Sequence, residues 1–357
     1  MANHLLFNFS VSYSGGGYKR LYEYSKVINS QGGAHFIIHP NCQSLIKTFP
    51  NNHYHVVKQS FLERIFEDCK YLKSIIKNIG VPDFYYAYGI PIYFKVGLVN
   101  WFHLSNVLPL ASKGISSGLL SHLKVMELGR RIRKNLANAS VISAESQFSL
   151  EALGTKHMQR HFLSVNGADD ELKVLAQKKV FEKSNIAVVV GTYKYKALAD
   201  SYQVFNELRK TTNGDLKLII IGLKKDIPAS LIGDENVIIR GLLSREKVIE
   251  CLQTARFYIS TTRIENSYNA ASEGIFFANE SYISNIGPHQ ELLAKMPHSL
   301  VSIPNVYPSL IKVKRGEING DNLLTWVQVV EQMMTKIKTS LANEKYKGKG
   351  KGKESNV

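Results

Sequence analysis

The stretch NVIIRGLLSREKVIECLQTARFYISTT (236–262) decides the fold, because it places a helix signal between two strand signals. Residues 236–242 and 256–262 are short apolar runs with the length and composition of buried strands. Two such strands joined through a helix are typical of a parallel sheet, since the chain must return to the starting edge before the second strand begins. The stretch therefore predicts one strand–helix–strand unit of an α/β domain.

The same alternation fills most of the chain and falls into two sets of strands. The predicted strands are 4–10, 34–40, 53–59, 83–89, 96–104 and 140–145 in the first set, and 187–193, 216–222, 236–242, 256–262 and 280–286 in the second. One connecting helix, 61–80, closes on Gly80 as a C-cap. The pattern predicts two doubly wound, Rossmann-like domains, 1–170 and 171–320, each with helices on both faces of a parallel sheet.

Two further segments follow the second domain. An amphipathic helix is predicted at 321–344 and can cross back to the first domain. The last residues, 345–357, are rich in Lys and Gly and should be disordered, because they carry too little apolar surface to bury. Ligands of open α/β sheets bind beyond the carboxyl ends of the strands, so two facing domains would hold a ligand in the cleft between those ends.

The composition is that of a globular protein with a basic surface. The chain has 357 residues, 44% of them hydrophobic, and a formal net charge of +16. No apolar run approaches the roughly 18–20 residues that span a bilayer, and no signal peptide is expected. The three cysteines show no CxxC spacing, which argues against a zinc site or disulfide framework and for a reducing cytosol. The charge favours a polyanionic partner: nucleic acid, anionic lipid or a phosphorylated substrate.

The first domain offers two candidate ligand-binding positions. SYSGGGYKRL (12–21) places Gly15, Gly16 and Gly17 between a strand and a helix, where the backbone can approach a ligand and the helix start favours an anion. The alternative is a flexible turn. His103 ends a buried strand in VNWFHLSN (99–106), where it can act as a base or bind a sugar hydroxyl. The alternative for His103 is a structural histidine with satisfied hydrogen bonds.

The first strand of the second domain ends on Gly191, which two lysines follow before the next helix. Lys194 and Lys196 at this strand-to-helix turn can hold a diphosphate as point charges. The alternative is a solvated loop.

The stretch ENSYNAASEG (265–274) holds two glutamates, Glu265 and Glu273, eight residues apart. If the whole stretch were helical, they would lie about 12 Å apart along the axis, too far to share a proton or a metal ion. If Glu265 lies in the loop instead, the amides of Tyr268, Asn269 and Ala270 become first-turn donors for a diphosphate. The pattern then favours two ends of one extended ligand, such as a nucleotide sugar. The alternative is that Glu265 interacts with the helix dipole in the first turn and that Glu273 is a solvated helix residue.

A basic amphipathic helix is predicted at 116–136. The predicted apolar side comprises Leu120, Leu123, Leu128, Ile132 and Leu136, with Val125 close by. Its cations are Lys113, Lys124, Arg130, Arg131, Arg133 and Lys134, against the single acidic residue Glu127. Such a helix suits an anionic membrane surface, and no nucleic-acid motif accompanies it. The alternative is an ordinary solvated helix face.

Several motifs, taken in order, resemble the retaining glycosyltransferases of the GT-B fold, most closely family 4. Glu265 and Glu273 reproduce the family's E-x7-E pattern. The other similar segments are SGGG (14–17), SAESQFSLEAL…SVNGADD (143–153 and 164–170), GTYKYKALADSYQVFNEL (191–208), the stretch 236–266 and IGPHQELL (286–293). The resemblance covers about residues 5–340 and implies two Rossmann-like domains that face each other across a cleft.

The resemblance also implies roles for individual residues. Glu273 would bind the ribose diol, Glu265 would contact the donor sugar, and Lys196 would neutralise the leaving diphosphate. Gly15–Gly17 would close over the diphosphate, and His103 would meet the donor sugar. No metal or other cofactor is implied.

The family's arginine before the lysine is missing here, and Lys194 can substitute for it. The usual E-G-F-G reads Glu265-Asn266-Ser267-Tyr268, which puts the identity of the donor in doubt more than the type of reaction.

The implied function is retaining transfer of a hexosyl group from a nucleoside-diphosphate sugar to a glycan acceptor. The expected acceptor is linked to a polyprenyl diphosphate, as in bacterial O-antigen, lipopolysaccharide or capsule synthesis, and the expected location is the inner face of the cytoplasmic membrane. A nucleic-acid-binding protein and a GT-B protein that binds nucleotide sugars without transfer remain as alternatives.

Overall fold

The computed structural model describes residues 4–58, 63, 70–111, 119–168, 183–294, 296–315 and 323–351. The chain divides into two compact units. The first unit comprises Met1–Ala111, Leu123–Gly167 and the C-terminal segment from Leu324, and the second is built on Ala168–Leu323.

The first unit holds a parallel seven-stranded sheet in the order β3-β2-β1-β4-β5-β6-β7. Its strands are β1 Leu5–Phe9, β2 His35–Ile38, β3 His53–Val56, β4 Phe84–Tyr88, β5 Val99–Leu104, β6 Val141–Ala144 and β7 His161–Leu163. Its helices are α1 Gly15–Ser30, α2 Ser44–Thr48, α3 Lys70–Ile79, α4 Leu108–Ala111, α5 Leu119–Asn135 and α6 Gln147–Ala152. The six predicted strands are confirmed. Most of the predicted helix 61–80 before Lys70 lies outside the described residues.

The second unit holds a seven-stranded sheet in the order β10-β9-β8-β11-β12-β14-β13. Its strands are β8 Ser184–Val190, β9 Lys217–Ile221, β10 Val237–Gly241, β11 Ala255–Ser260, β12 Glu280–Ser284, β13 Ser299–Val301 and β14 Leu310–Lys314. Its helices are α7 Leu198–Lys210, α8 Arg245–Thr254, α9 Asn269–Phe277 and α10 Gly287–Leu293. The first five strands are parallel, and β14 pairs antiparallel with both β12 and β13.

In both sheets, successive strands are first added on one side of the first strand and then on its other side. In the first unit β1 lies between β2 and β4, and in the second unit β8 lies between β9 and β11. The loops after β1 and β4, and after β8 and β11, therefore diverge at the carboxyl edge of each sheet. Ligands of doubly wound sheets bind at such points. The stretch that opened the sequence analysis forms β10, α8 and β11.

The last helix, α11 Trp326–Lys351, packs into the core of the first unit. Its fully buried side chains Val330, Met333 and Ile337 belong to the same cluster as Phe7 and Tyr24. The helix continues to Lys351, where disorder was predicted from residue 345, while 352–357 lie outside the described residues. Lysine favours a helix and glycine disfavours it by about 1 kcal/mol relative to alanine, so this Lys/Gly segment is helical only as an extension of the turns before it. Within the described residues, no helix has the length and apolarity required to cross a membrane.

Candidate functional site

Two predicted donor-site residues meet at the carboxyl edge of the second sheet. The ammonium Nζ of Lys196 donates to Oε1 of Glu265 at 2.5 Å, and both side chains are mostly buried. Lys196 lies in the turn between β8 and α7, whereas Glu265 lies in the loop between β11 and α9. Because β8 and β11 are neighbouring parallel strands, their following loops meet at this edge. The fold thus brings together two residues that are 69 positions apart.

The turn after β8 depends on Gly191, whose φ is +93°. A Cβ at this position would lie 3.1 Å from Cε of Lys196, so the glycine leaves room for the lysine side chain. Tyr193 and Tyr195 stack at 5.6 Å, with Tyr193 exposed. Burial and the nearby Glu265 carboxylate raise the pKa of Tyr195, which remains a neutral hydroxyl. The exposed Lys194 lies in the same turn.

The second glutamate, Glu273, pairs with a residue that the sequence analysis missed. Nε and Nη2 of Arg245 donate to Oε1 of Glu273 at 3.0 and 2.6 Å. Arg245 is the first residue of α8, and Glu273 lies in the middle of α9. The E-x7-E spacing identifies the glutamate but carries no information on its partner, which lies 28 residues earlier.

Helix α9 begins at Asn269, with Tyr268 as its N-cap, so Glu265 lies in the preceding loop and not on the helix. The Tyr268 side chain makes no capping hydrogen bond. The amides of Asn269 and Ala270 belong to the first turn, where no intrahelical acceptor exists. These amides point towards the start of the helix, where the macrodipole favours an anion. This is the geometry expected if Glu265 lies in the loop and the free amides of the first turn lie beside it.

The second half of α9 lies close to the sheet because Gly274 carries no side chain. A Cβ on Gly274 would lie 2.1 Å from Cδ1 of Tyr258 in β11. This close packing holds the helix, and with it Glu273, directly against the strand that leads to Glu265.

A buried histidine, His289, lies near the Lys196–Glu265 pair. Its Nδ1 is 2.8 Å from the carbonyl oxygen of Ser284, so Nδ1 carries the proton and donates. Burial lowers the pKa of His289 to about 4; the charges of Glu265 and Lys196 act on it in opposite directions. The imidazole is therefore neutral at pH 7. The sequence analysis assigned the surrounding IGPHQELL segment to the family pattern but did not single out this histidine.

In the first unit, Gly15, Gly16 and Gly17 form the first residues of α1, as the glycine-loop prediction requires. Gly15 has a φ of +59°, which favours glycine. A Cβ on Gly17 would lie 3.2 Å from Cε1 of Tyr88 at the end of β4. The glycines thus form a close-packed turn at the carboxyl edge of the first sheet, and the start of this long helix favours an anion.

The structure places His103 in the interior of the first unit. The side chain has no exposed surface, its ring stacks on Tyr88 at 5.0 Å, and its Nδ1 is 2.7 Å from Oγ of Ser143. Burial, with the charge of Arg20, lowers the pKa of His103 to about 4. The predicted contact between His103 and a donor sugar is not available in this conformation, because other side chains cover the ring. The environment fits a structural histidine at Nδ1, whereas Nε2 is buried without a hydrogen-bond partner among the described residues and lies 3.6 Å from Oε1 of Glu145.

A buried polar network surrounds His103 and was not predicted. The Arg20 guanidinium donates to Oδ1 of Asn166, to Oγ and the carbonyl oxygen of Ser164, to the Tyr24 hydroxyl and to the carbonyl oxygen of Val165. The Glu145 carboxylate accepts from Tyr88 at 2.9 Å and from Asn166 at 3.0 Å, and lies 3.6 Å from Arg20. The network ties α1, which begins with the glycine turn, to the ends of β4 and β6 and to the segment after β7.

The basic helix α5 is amphipathic as predicted, with one exception. Ile132 and Leu136 are buried, and Gly129 packs so closely on α4 that a Cβ would lie 2.1 Å from the carbonyl oxygen of Pro109. Leu123, predicted on the apolar side, is 52% exposed, because it precedes the exposed Arg130 by seven residues, about two turns of helix, and so lies on the same face. Met126 is also exposed.

The cations of α5 remain at the surface. Lys124, Arg130, Arg133 and Lys134 are exposed and Arg131 is half-buried. Glu127 pairs with both Arg130 and Arg131, which lowers the pKa of its carboxyl to about 2. Lys113 and the side chain of Leu120 lie outside the described residues. Among the described residues, no group of three or more His, Cys, Asp or Glu side chains is arranged to hold a metal ion.

Comparison with known proteins identifies the fold. No protein-family model and no curated protein matches the sequence. Similar solved structures include sucrose-phosphate synthase from Thermosynechococcus elongatus (TM-score 0.60, 10% identity, 82% of this chain and 83% of that chain). They also include WaaG, a glycosyltransferase involved in lipopolysaccharide biosynthesis (0.57, 11%, 81% and 83%). A third is HepE from Anabaena in complex with UDP-glucose (0.56, 15%, 81% and 82%). With its two doubly wound Rossmann-like units, the chain has the GT-B fold of these glycosyltransferases.

Proposed function

We propose that the protein is a retaining glycosyltransferase that moves a hexosyl group from a nucleoside-diphosphate sugar to a glycan acceptor. The observation that carries the proposal is the cluster at the carboxyl edge of the second sheet. Lys196 and Glu265 meet there from the turns that follow two neighbouring strands, β8 and β11, and Glu273 lies on the helix that follows the second turn. The GT-B fold and the UDP-glucose bound to one similar protein support a nucleotide sugar as the ligand.

The proposed roles follow from charge and position. Lys196 and the first-turn amides of Asn269 and Ala270 neutralise the diphosphate, whose negative charge grows as the bond to the sugar breaks. The Lys196 ammonium is already paired with the Glu265 carboxylate. When the donor binds, Lys196 either leaves Glu265 for the diphosphate or contacts both. Glu265 then faces the anomeric carbon, which becomes positive in the transition state. Glu273 accepts hydrogen bonds from the ribose diol.

The glycine turn at Gly15–Gly17 is proposed as an anion-binding element of the first unit, because its backbone allows close approach and the helix start favours negative charge. His103 has no sugar contact in this proposal, because its side chain is buried and belongs to the polar network around Glu145. The chemistry needs no metal if Lys196 and the helix amides balance the diphosphate charge.

The proposed acceptor is a glycan linked to a polyprenyl diphosphate, as in the synthesis of O-antigen, lipopolysaccharide or capsule. The exposed cations of α5, together with the exposed Leu123 and Met126, support docking on an anionic membrane surface. One of the similar proteins, WaaG, is involved in lipopolysaccharide biosynthesis. In this proposal the protein works at the inner face of the cytoplasmic membrane, and nucleic acid is not its partner.

The test is release of nucleoside diphosphate from UDP-, GDP- and dTDP-sugars in the presence of a membrane extract as acceptor. Lys196→Met should lower kcat by about 10²-fold, the scale seen when one charge-stabilising group is removed. Glu273→Gln should raise KM for the donor. Lys210→Met and Glu207→Gln serve as matched controls, because these residues form an exposed ion pair at the far end of α7. The controls should stay within about twofold of the wild type, since exposed pairs contribute little.

Unchanged turnover in both Lys196→Met and Glu273→Gln would remove the site assignment. Binding of a nucleotide sugar without turnover on any acceptor would favour the non-catalytic alternative. Binding of DNA or RNA in place of nucleotide sugars would favour the nucleic-acid alternative. In that last case the affinity should fall steeply with salt.

A further inference from the structure

Arg245 contacts a residue of the candidate donor site, although neither the sequence motifs nor the proposed chemistry gives it a role. Its guanidinium donates twice to the same oxygen of Glu273, at 3.0 Å from Nε and 2.6 Å from Nη2. Two N–H donors that converge on Oε1 hold that oxygen in place and restrict the rotation of the carboxylate more than a single donor would. The geometry is therefore more directional than a single contact to a lysine ammonium would be.

Both partners are held by rigid elements. Arg245 follows the N-cap Ser244, whose side chain accepts a hydrogen bond from the amide of Lys247. Helices α8 and α9 share one apolar cluster, in which Leu252 of α8 and Ile275 of α9 are buried. The ion pair thus joins two helices that already pack together, so little further order is lost when it forms.

The pair is also accessible to a ligand. The Glu273 side chain is 19% exposed and that of Arg245 is 36% exposed, so neither is sealed in the interior. The guanidinium of an arginine stays protonated throughout the ordinary pH range, so its positive charge favours the ionised form of a carboxylate at hydrogen-bond distance. An ionised carboxylate held in one orientation is a good acceptor for two neighbouring hydroxyl groups.

We infer that Arg245 is a positioning residue that orients Glu273 for the 2′- and 3′-hydroxyls of the donor ribose, and so sets the preference for ribonucleotides. The inference rests on the proposed function. It deepens that function, because it names the residue that makes ribose recognition depend on α8 as well as α9. A carboxylate aimed at a diol loses a partner when the 2′-hydroxyl is absent, which disfavours the 2′-deoxy nucleotide.

The experiment compares two affinities in each variant of the full chain. Isothermal titration calorimetry first identifies which of UDP, GDP, ADP and CDP binds to the wild type. The affinity for that nucleotide is then divided by the affinity for its 2′-deoxy form. We expect a ratio of about ten or more in the wild type, the effect of one hydrogen bond of about 1.4 kcal/mol. Glu273→Gln should bring the ratio close to one.

Arg245→Met should also lower the ratio towards one, and Arg245→Lys should restore part of it. The affinity for inorganic pyrophosphate should stay within about twofold, because Arg245 acts on the ribose end of the site. Lys247→Met is the matched control, since Lys247 lies on the same helix and pairs with Glu250 at the surface. A thermal melt of each variant shows whether it is folded, and the lysine variant keeps the test valid if the methionine variant is not.

The outcomes separate the inference from the function on which it rests. A wild type that binds none of the four nucleotides contradicts the proposed function itself. A ratio that falls in Glu273→Gln but is unchanged in Arg245→Met overturns the inference alone. A ratio that is unchanged in Glu273→Gln overturns the assignment of Glu273 to the ribose, and with it the role of Arg245.

Discussion

Arg20 illustrates how a buried charge determines local stability. Its side chain has no exposed surface, and its donors are taken up by Asn166, Ser164, Val165 and Tyr24, with Glu145 at 3.6 Å. Removing the guanidinium leaves the Glu145 carboxylate buried without its positive neighbour, which costs far more than the net value of the pair.

We expect Arg20→Met to lower the free energy of unfolding by about 3–5 kcal/mol, measured by urea or thermal denaturation followed by circular dichroism. The double variant Arg20→Met/Glu145→Gln should be less destabilised than the sum of the two single variants, because the second change removes the unpaired charge. Lys26→Met, on an exposed position of the same helix, is the control and should change stability by less than about 0.5 kcal/mol. If Arg20→Met lowers the free energy of unfolding by less than about 1 kcal/mol, the polar network does not hold the glycine turn Gly15–Gly17 in place.

At the scale of elements, the contact between α9 and β11 depends on Gly274. Replacing a glycine by alanine inside a helix normally stabilises it, by about 1 kcal/mol. Here the added Cβ would lie 2.1 Å from the Tyr258 ring, so the helix has to move away from the sheet. We expect Gly274→Ala to lower stability by about 1–3 kcal/mol and to weaken nucleotide binding, because Glu273 moves with the helix.

Stability and nucleotide affinity are measured together for this variant by a thermal-shift titration. Asn343→Ala, at an exposed position of α11, is the control for the effect of alanine on helix propensity and should be neutral or slightly stabilising. If Gly274→Ala is more stable than the wild type by the full ~1 kcal/mol that alanine gains over glycine in a helix, α9 does not pack on β11 as described.

The exposed face of α5 leads to a prediction on membrane binding. Each cation near an anionic surface contributes about 1 kcal/mol, so Arg130→Glu/Lys134→Glu should lower binding to phosphatidylglycerol vesicles by more than tenfold. Glu127→Gln should strengthen binding, because its carboxylate now pairs with Arg130 and Arg131. Vesicle co-sedimentation measures both.

Phosphatidylcholine vesicles are the control for lipid charge. A variant with the same change in net charge, Lys210→Glu/Lys247→Glu, with one change on α7 and one on α8, is the control for net charge alone. Equal losses in the α5 variant and in this control would mean that the net charge, and not this helix, determines binding. Loss of DNA binding in parallel with loss of vesicle binding would contradict lipid as the specific partner.

Particular elements show how far sequence reasoning extends. Strands such as β8 and β9 were predictable because consecutive apolar side chains are required when both faces of a strand are covered. β7, β13 and β14 were missed because they are edge or near-edge strands of three to five residues with exposed positions, which leave no continuous apolar run.

The same limit applies to the candidate site. Glu265, Glu273 and Lys196 could be predicted as site residues because each belongs to a short motif whose residues are close together in the sequence. Arg245 and His289 were missed because their partners are set by strand order in the sheet and not by spacing along the chain. The burial of His103 was missed for a related reason: a histidine at the end of a strand looks the same in sequence whether neighbouring loops cover it or not.

For the whole molecule, three histidines make stability depend on pH. Burial lowers the pKa values of His35, His103 and His289 to about 4, from about 6.5 in the unfolded chain. Below pH 6.5 the unfolded state therefore binds more protons than the folded state. The stability from these neutral histidines is fully present above pH 6.5 and is lost progressively as the pH falls towards 4.

We expect the melting temperature to fall steadily between pH 7 and pH 4.5. His289→Asn and His103→Asn should each show a smaller fall over this range than the wild type, whatever their stability at pH 7. His298→Asn, at an exposed position, is the control and should retain the full slope. A melting temperature that stays constant from pH 7 to pH 5 would show that the histidines are solvated.

The position of α11 has a consequence for how the protein is made. The helix that completes the hydrophobic core of the first unit is translated after the whole of residues 168–323. At about 5–20 residues per second, the cavity beneath Tyr24 and Phe7 stays open on the ribosome for on the order of ten seconds or more. The second unit can complete its core during that interval. The nascent first unit therefore presents an apolar surface to chaperones until Trp326 and the residues behind it emerge.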